Sequence, residues 1–496
     1  MGLPEQPAGK TLPVPNSAER PTMPPGQLAT AAGDSCGRLA RTSGSTLLDE
    51  PVREPVAEVG AGVEVEAVRW KRVLNGWPLA IASAASALGF AIYIAVATWQ
   101  TDLLVYLMGG RLARTPALYT TFLPNRHLLF TYTPFAALLF APFGQLGVSP
   151  NTAVAAQAVW TAFNMVALVG LLVLSIRVVR PEVQVATRWR LALLLTAPAV
   201  FLNPVLGTIT YAQVNLMLAL LVLWDLLGSR RIGSRTLPQG VATGLAVAIK
   251  LTPAIFIPFM LLTGRRRAAV NCMITFGVSI GIGFALSPGA SWAYWTKDVF
   301  QPSRVGGLLY LGDQNLSSAI QRFDHGVIRG GHLLPVVLAI GIVGLVLAMW
   351  AHRRSSPVLG VIVCATTGLI VSPVTWAHHL VWVVPAIIWF AAAPDRPRRG
   401  VKIAAAVAVL FWSCPIWWAP RDALHELQLR GWQLVAGNSF LLAMLAFLAG
   451  ILALLIRREW TDWRRRGAFV RAAAAAASVR DRGRRAERRA STPSVP

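Results

Sequence analysis

Apolar residues fill this chain in long blocks. They do not form the short alternations of strands or the one-sided stripes of soluble helices. The blocks fall at 77–98, 129–147, 152–176, 191–208, 211–228, 239–263, 268–287, 333–351, 357–374, 377–393, 403–419 and 439–456. A helix needs roughly 20 residues to cross the hydrocarbon layer, so the pattern predicts an all-α polytopic membrane protein with about 10–12 transmembrane helices. Two blocks are interrupted by prolines, Pro134 and Pro142 in one, Pro253 and Pro258 in the other.

Charge at the block ends sets an orientation. Arg69-Trp70-Lys71-Arg72 precedes the first block and puts the N-terminus inside. If all twelve blocks cross, the loops carrying Arg177, Arg180, Arg188 and Arg190, and Arg230, Arg231 and Arg235, fall outside, against the charge rule. If 129–147 and 239–263 are broken or re-entrant, every major basic cluster lies inside. Those clusters include Arg265-Arg266-Arg267, His352-Arg353-Arg354 and Arg396 to Arg399. Irregular backbone at membrane depth is tolerated where it lines protein or a water-filled cavity, and such breaks often mark a substrate site. The expectation is a multi-pass protein of the cell membrane with both termini cytoplasmic. The outside surface would comprise 99–127, 288–332, the turns near 208–212 and 374–379, and 420–438.

Composition agrees. Hydrophobic residues are 55% and charged residues 14% of 496 residues, where soluble proteins average about 25% charged. The net charge of +24 is uneven. Residues 1–68 hold five basic and nine acidic residues and are rich in Pro, Ala, Gly and Glu, which predicts a disordered cytoplasmic extension. No signal peptide is expected there. Residues 69–456 form the expected transmembrane domain. Residues 457–496, with twelve Arg against four acids, form a cytoplasmic tail suited to an anionic leaflet. A basic balance can mean nucleic acid, but the clusters sit at apolar-block ends, so no nucleic-acid partner is expected. Cys36, Cys272, Cys364 and Cys414 have neither metal nor CxxC spacing. The run Ala8-Gly9-Lys10-Thr11 lacks the first glycine of a phosphate loop and a preceding strand.

Only nine acids lie in 69–456. Glu182, Asp225 and Asp395 accompany basic clusters and are expected to be surface charges. Asp102, Asp298, Asp313, Asp324, Asp422 and Glu426 remain for the outer face. Asp102 follows the first block in Trp99-Gln100-Thr101-Asp102-Leu103-Leu104-Val105-Tyr106, where a carboxylate is costly unless used or paired. It is a functional group, a helix N-cap, or a partner of Arg111 or Arg126. His378 and His379 either sit beside tryptophans at an interface, or one imidazole faces a cavity to bind phosphate or relay a proton. Successive helical positions point about 100° apart, which argues against a two-His metal site. Lys250, beside Thr252-Pro253, snorkels or binds an anion. Gly240 and Gly244 suit close helix packing. Gln213 and Asn215 are hydrogen-bonding glue or cavity donors. Arg111, Arg126, His127, Lys297, Arg304 and Arg322 are outer cations, each weak evidence alone.

Taken in order, these pieces resemble the actinobacterial polyprenyl-phosphate-mannose-dependent alpha-(1→2)-mannosyltransferases, membrane enzymes of the GT-C type. The matching elements are Asp102-Leu-Leu-Val-Tyr106, Thr131-Tyr132-Thr133-Pro134-Phe135, Gln213-Val-Asn215, Gly244 through Lys250 to Pro253, and Ser372-Pro373 with Trp376-Ala-His378-His379. The likeness covers about 76–456. It departs at Ala212, where the family pattern has glycine, so that turn is expected to be less tight. The resemblance implies Asp102 as general base; its lipid-phosphate leaving group calls for cations, and Arg126, Lys250 and His378 or His379 are the candidates. Tyr132, Gln213, Asn215, Asp313, Asn315 and Trp376 complete the expected substrate site. It implies a polyprenyl-phosphate-mannose donor, a mannosylated glycolipid acceptor, membrane lipids as partners and an active site on the outer face; no metal cluster is visible in the sequence, so no cofactor or metal is expected. A transporter or flippase for a lipid-linked sugar shares the broken helices, but no internal repeat is visible. Within the enzyme class, the alternative is a sibling using lipid-linked arabinose.

Overall fold

The computed structural model describes residues 76–98, 100–123, 127–144, 150–328, 330–392, 397–420 and 425–490. Residues 68–496 form one compact unit. The N-terminal extension lies outside the described residues, as do Arg126, Asp395 and Asp422.

Each of the twelve apolar blocks contains helix, but they differ in length. Among the described residues, six stretches are long and apolar enough to cross a membrane: Trp77–Ala97, Val154–Val179, Arg266–Leu286, Gly331–Arg354, Arg398–Trp417 and Ser439–Arg465. The block at 191–208 is a bent pair, Val185–Val200 and Asn203–Thr210, at 79°. The chain turns at Leu202, which is extended (ψ 125°), and Pro204 then starts the new helix in its first turn. The remaining apolar blocks contain shorter helices.

In chain order the helices are α1 (Trp77–Ala97), α2 (Thr101–Arg111), α3 (Pro134–Gly144), α4 (Pro150–Val179), α5 (Val185–Val200), α6 (Asn203–Thr210), α7 (Asn215–Leu227), α8 (Val241–Ile249) and α9 (Phe256–Leu262). They continue as α10 (Arg266–Leu286), α11 (Pro288–Thr296), α12 (Leu316–Phe323), α13 (Leu334–Arg354), α14 (Pro357–Val371), α15 (Val383–Ala391), α16 (Pro397–Ser413), α17 (Trp432–Gly437) and α18 (Ser439–Ala490). A two-residue hairpin, Arg231–Ile232 with Arg235–Thr236, joins α7 to α8.

Some helices pack on their sequence neighbours, α2 on α3, α13 on α14 and α15 on α16, and others across the chain, α1 on α5 and α4 on α7. The α8–α10 contact is backbone-close, because Gly240 and Gly244 face α10 without side chains. A Cβ at Gly240 would lie 1.9 Å from the Ala268 carbonyl oxygen, and one at Gly244 2.6 Å from that of Cys272. Gly240 also has φ +99°, which an L side chain rarely adopts.

Asp225 differs from the sequence expectation. It is fully buried, not a surface charge. Its carboxylate accepts from the Gly240 and Thr243 backbone N–H groups and from Thr243 Oγ1 at 2.6–3.1 Å. A carboxylate at a helix N-terminus is favoured by the exposed amides and the dipole, so Asp225 fastens the start of α8. Glu182 is exposed and pairs with Arg180.

Candidate active site

Three interruptions of helix deliver the site residues. The first follows α1. Asp102 is the second residue of α2, so it is not the N-cap, and Tyr106 sits one turn on, on the same face. The second is the turn between α6 and α7. Ala212 holds φ +58° and is fully buried, so the turn closes in the left-handed region although the residue is not glycine. The expected loosening is absent: Ala212 N–H reaches the Ile209 carbonyl at 3.1 Å and Gln213 N–H that of Thr208 at 2.8 Å. The third is the break in 239–263. Lys250 is extended (φ −144°, ψ 128°) between α8 and a 3-10 turn, Thr252–Ile255, that carries Pro253 in its first turn. The missing proline N–H and its ring end the α-helical ladder there.

A strap at 372–382 closes the site. It runs from extended residues into a 3-10 turn, Ala377–Trp382, that carries His378 and His379. Residues 312–315 pin it. Gln314 N–H donates to the Thr375 carbonyl (2.7 Å), Ala377 N–H to that of Gly312 (2.8 Å), and Thr375 N–H to Asp313 Oδ1 (2.7 Å). Asn315 Nδ2 donates to the Asp313 carboxylate and to the Pro373 carbonyl at 2.9 Å, while its Oδ1 caps α12 through Ser318 N–H. Asp313 and Asn315 are fully buried beneath the strap and do not line the cavity.

The cavity measures about 250 Å³. Asp102, Tyr106, Tyr132, Gln213, Lys250, Trp376 and His379 line its polar wall. Gln213 is the hub. Its Oε1 accepts from the hydroxyls of Tyr132 (2.9 Å) and Tyr106 (3.1 Å), which turns its Nε2 to donate to Asp102 Oδ2. Lys250 Nζ lies 3.1 Å from Asn215 Oδ1 and 3.0 Å from His379 Nε2. Asn215 lies behind, and its Nδ2 holds the His378 carbonyl at 3.0 Å. His378 is packed against Gly207 and Tyr211 and does not line this cavity. The two imidazoles stand 4.8 Å apart at 82°.

Burial pushes the Asp102 carboxyl up to about 6, against the opposing pull of the Gln213 amide and the Lys250 charge. No ion pair joins it to Arg111 among the described residues. Of the other outer acids, Asp298 lines the cavity and is ion-paired to Arg304, Asp324 caps an exposed turn through Gly326 and Ile328 N–H groups, and Glu426 is buried. Among the described residues, no group of three His, Cys, Asp or Glu could hold a metal ion.

Residues 130–373 match Glycosyltransferase family 87. A polyprenol-phosphate-mannose-dependent alpha-(1-2)-phosphatidylinositol mannoside mannosyltransferase of Mycobacterium tuberculosis is 33% identical over 347 residues, 67% of this chain and 76% of that protein. The chain belongs to glycosyltransferase family 87. The protein of the same description from Mycolicibacterium smegmatis is 33% identical over 373 residues, covering 69% of this chain and 81% of its own. A polyprenol-phosphate-mannose-dependent alpha-(1-2)-phosphatidylinositol pentamannoside mannosyltransferase of Mycobacterium tuberculosis is 29% identical over 373 residues, 72% and 84% of the two chains. No solved structure matches.

Membership of glycosyltransferase family 87 makes the chain an enzyme that transfers sugar and removes the transporter reading. A multi-pass GT-C-type architecture agrees with it. Asp102, His378 and His379 lie outside the residues matched to the family 87 profile, so for them the geometry argues alone. Sequence reasoning singled out neither Tyr106 nor the Asp298–Arg304 pair as site residues. Tyr106 was signalled by its four-residue spacing from Asp102. The pair had no such signal.

Proposed function

We propose that this enzyme transfers mannose from polyprenyl-phosphate-mannose to a mannosylated glycolipid, forming an alpha-(1→2) link with inversion. The acceptor class is phosphatidylinositol mannoside, lipomannan or lipoarabinomannan. The observation that carries the reading is one cavity that holds both a buried carboxylate, Asp102, accepting from Gln213, and the Lys250–His379 pair. Relatives described as polyprenol-phosphate-mannose-dependent supply the donor.

The acceptor hydroxyl oxygen attacks the anomeric carbon from the face opposite the lipid phosphate. The new C–O bond forms as the bond to the phosphate oxygen breaks, and the leaving phosphate takes the electron pair. Asp102 accepts the hydroxyl proton, which suits a carboxyl raised towards working pH. Lys250 Nζ and His379 stabilise the charge growing on the phosphate. Asp298 is already engaged by Arg304 in an ion pair at 3.2 Å. Beta-linked donor thus gives alpha-linked product.

The proposed setting is the cell membrane, with the cavity on the outer face, both termini cytoplasmic, residues 69–456 as the catalytic domain and 457–496 as a basic tail. Membranes containing the enzyme, given radiolabelled polyprenyl-phosphate-mannose and phosphatidylinositol mannoside, should yield labelled alpha-(1→2) product that a deletion strain's membranes do not. Equal labelling in both would end the proposal.

A further inference from the structure

The Asp298–Arg304 ion pair in the cavity wall has no role in the chemistry above. Asp298 and Arg304 come from two consecutive 3-10 turns after α11, Asp298–Phe300 and Pro302–Val305. Arg304 Nη1 lies 3.2 Å from Asp298 Oδ1, and the two side chains are 17% and 8% exposed. Arg304 Nη2 also donates to the Tyr119 carbonyl at 2.5 Å. Both residues line the same cavity as Asp102. A largely desolvated ion pair contributes little net stability, since desolvation offsets attraction. What it does provide is a carboxylate lone pair beside guanidinium N–H groups, a donor and an acceptor side by side.

We propose that Asp298, Arg304 and Gln301 form the subsite for the terminal sugar of the acceptor, a neutral hexopyranose. This rests on the glycosyl-transfer reading above. Three observations support it. First, each sugar hydroxyl both donates and accepts, so two neighbouring hydroxyls are matched by a paired carboxylate and guanidinium. Secondly, the charge is distributed to separate the substrates. Arg304 is neutralised and suits an uncharged polyol. Lys250 has no carboxylate within ion-pair distance among the described residues and suits a phosphate. Thirdly, aromatic rings flank the pair. Tyr119 and Tyr294 stack with centroids 5.3 Å apart at 27°, and they line the cavity with Trp376. Of the three, Trp376 is partly exposed and available to the C–H surface of a pyranose, while the buried Tyr119–Tyr294 stack backs the wall.

Tyr119 connects this wall to the base. Its carbonyl takes Arg304, and its hydroxyl donates to the Tyr132 carbonyl at 2.8 Å. Tyr132 in turn holds Gln213, which holds Asp102. A sugar seated on the pair therefore lies on a wall fixed in position relative to the carboxylate that takes its proton.

The test is binding without turnover, so it does not depend on the donor. Purified full-length enzyme in detergent is titrated calorimetrically with phosphatidylinositol dimannoside and with phosphatidylinositol lacking mannose. The unaltered enzyme should prefer the mannosylated lipid. The double variant Asp298→Asn with Arg304→Gln keeps shape without leaving an orphan charge. Its affinity for the mannosylated lipid should fall about tenfold, as expected for lost hydrogen bonds to charged groups, with bare phosphatidylinositol unaffected. Equal affinities in the unaltered enzyme and a double variant of unchanged melting temperature overturn the proposal, as does an unaltered enzyme with no preference for mannose. If the double variant does not accumulate, Gln301→Ala, at an exposed position, decides: a weakened mannose preference supports the subsite and an unchanged one removes it. Failure of the donor reading is seen separately, as absent transfer from polyprenyl-phosphate-mannose.

Discussion

Lys250 Nζ sits 3.0 Å from Nε2 of His379, although 129 residues separate them in the chain. A break in one helix and a strap after another make that contact, and each residue lines the cavity that holds Asp102. A charged Lys250 can only donate, so His379 accepts at Nε2 and carries its proton on Nδ1. When Lys250 is protonated, the pair presents positive charge beside a neutral imidazole.

Removing either member should impair donor chemistry. Lys250→Met and His379→Ala are each expected to lower kcat/KM for the lipid donor by about 10²–10³-fold, the typical loss for one stabiliser of developing charge. The acceptor KM should change little. Because the two residues touch, the double variant should lose less than the product of the single losses. Steady-state kinetics on purified, folded variants with varied donor measures this. Losses that multiply fully would mean the two act at separate places.

The strap should depend on Asp313. Asp313→Ala leaves Thr375 N–H and the Asn315 amide without their buried acceptor, at about 1–3 kcal/mol for each orphaned group. The melting temperature in detergent should fall, and turnover should fall with it because Trp376 and His379 ride on the strap. An unchanged melting temperature would show that the strap is held by other contacts.

At Ala212 the prediction runs the other way. An L side chain in the left-handed region costs about 1 kcal/mol relative to glycine. Ala212→Gly should therefore raise stability by about that amount, read as an increased midpoint in chemical denaturation, while turnover stays within about twofold. A destabilised variant would show that the Ala212 methyl group packs better than the strain costs.

Orientation can be read with single cysteines in a background lacking Cys36, Cys272, Cys364 and Cys414. An impermeant thiol reagent added to intact cells should label positions in 288–332 and leave those in 394–402 unlabelled. The motive is the basic clusters at block ends. The reverse pattern would turn the enzyme over in the membrane.

Much of this was legible in the sequence, for identifiable reasons. Apolar blocks mark helices because the bilayer demands it, and all twelve contain helix. Polar residues inside such blocks are few, so Gln213, Lys250 and His379 stood out, as did Asp102 just after the first block. Other features were hidden because they depend on backbone geometry. Asp225 read as a surface charge, since its partners are backbone amides at Gly240 and Thr243 that no side-chain pattern announces. The 79° bend between α5 and α6 lay inside a single apolar run. Asp313 and Asn315 carried site-like chemistry, but their hydrogen bonds are used to hold the strap. The Asp298–Arg304 pair forms only when two 3-10 turns fold against Tyr119.

The role of Asp102 is tested most directly by the pH profile of kcat/KM for the acceptor, measured on the unaltered enzyme and on Asp102→Asn. A base must be deprotonated to act, and burial raises this carboxyl to about 6. Activity of the unaltered enzyme should therefore fall as pH drops through about 6. Asp102→Asn keeps the shape and a hydrogen bond to Gln213 but cannot take a proton, so transfer should drop by about 10²–10⁴-fold and the acid limb should disappear. A variant that still inserts, turns over within a few-fold of the unaltered enzyme and keeps the same acid limb would contradict the account, and another group would be the base.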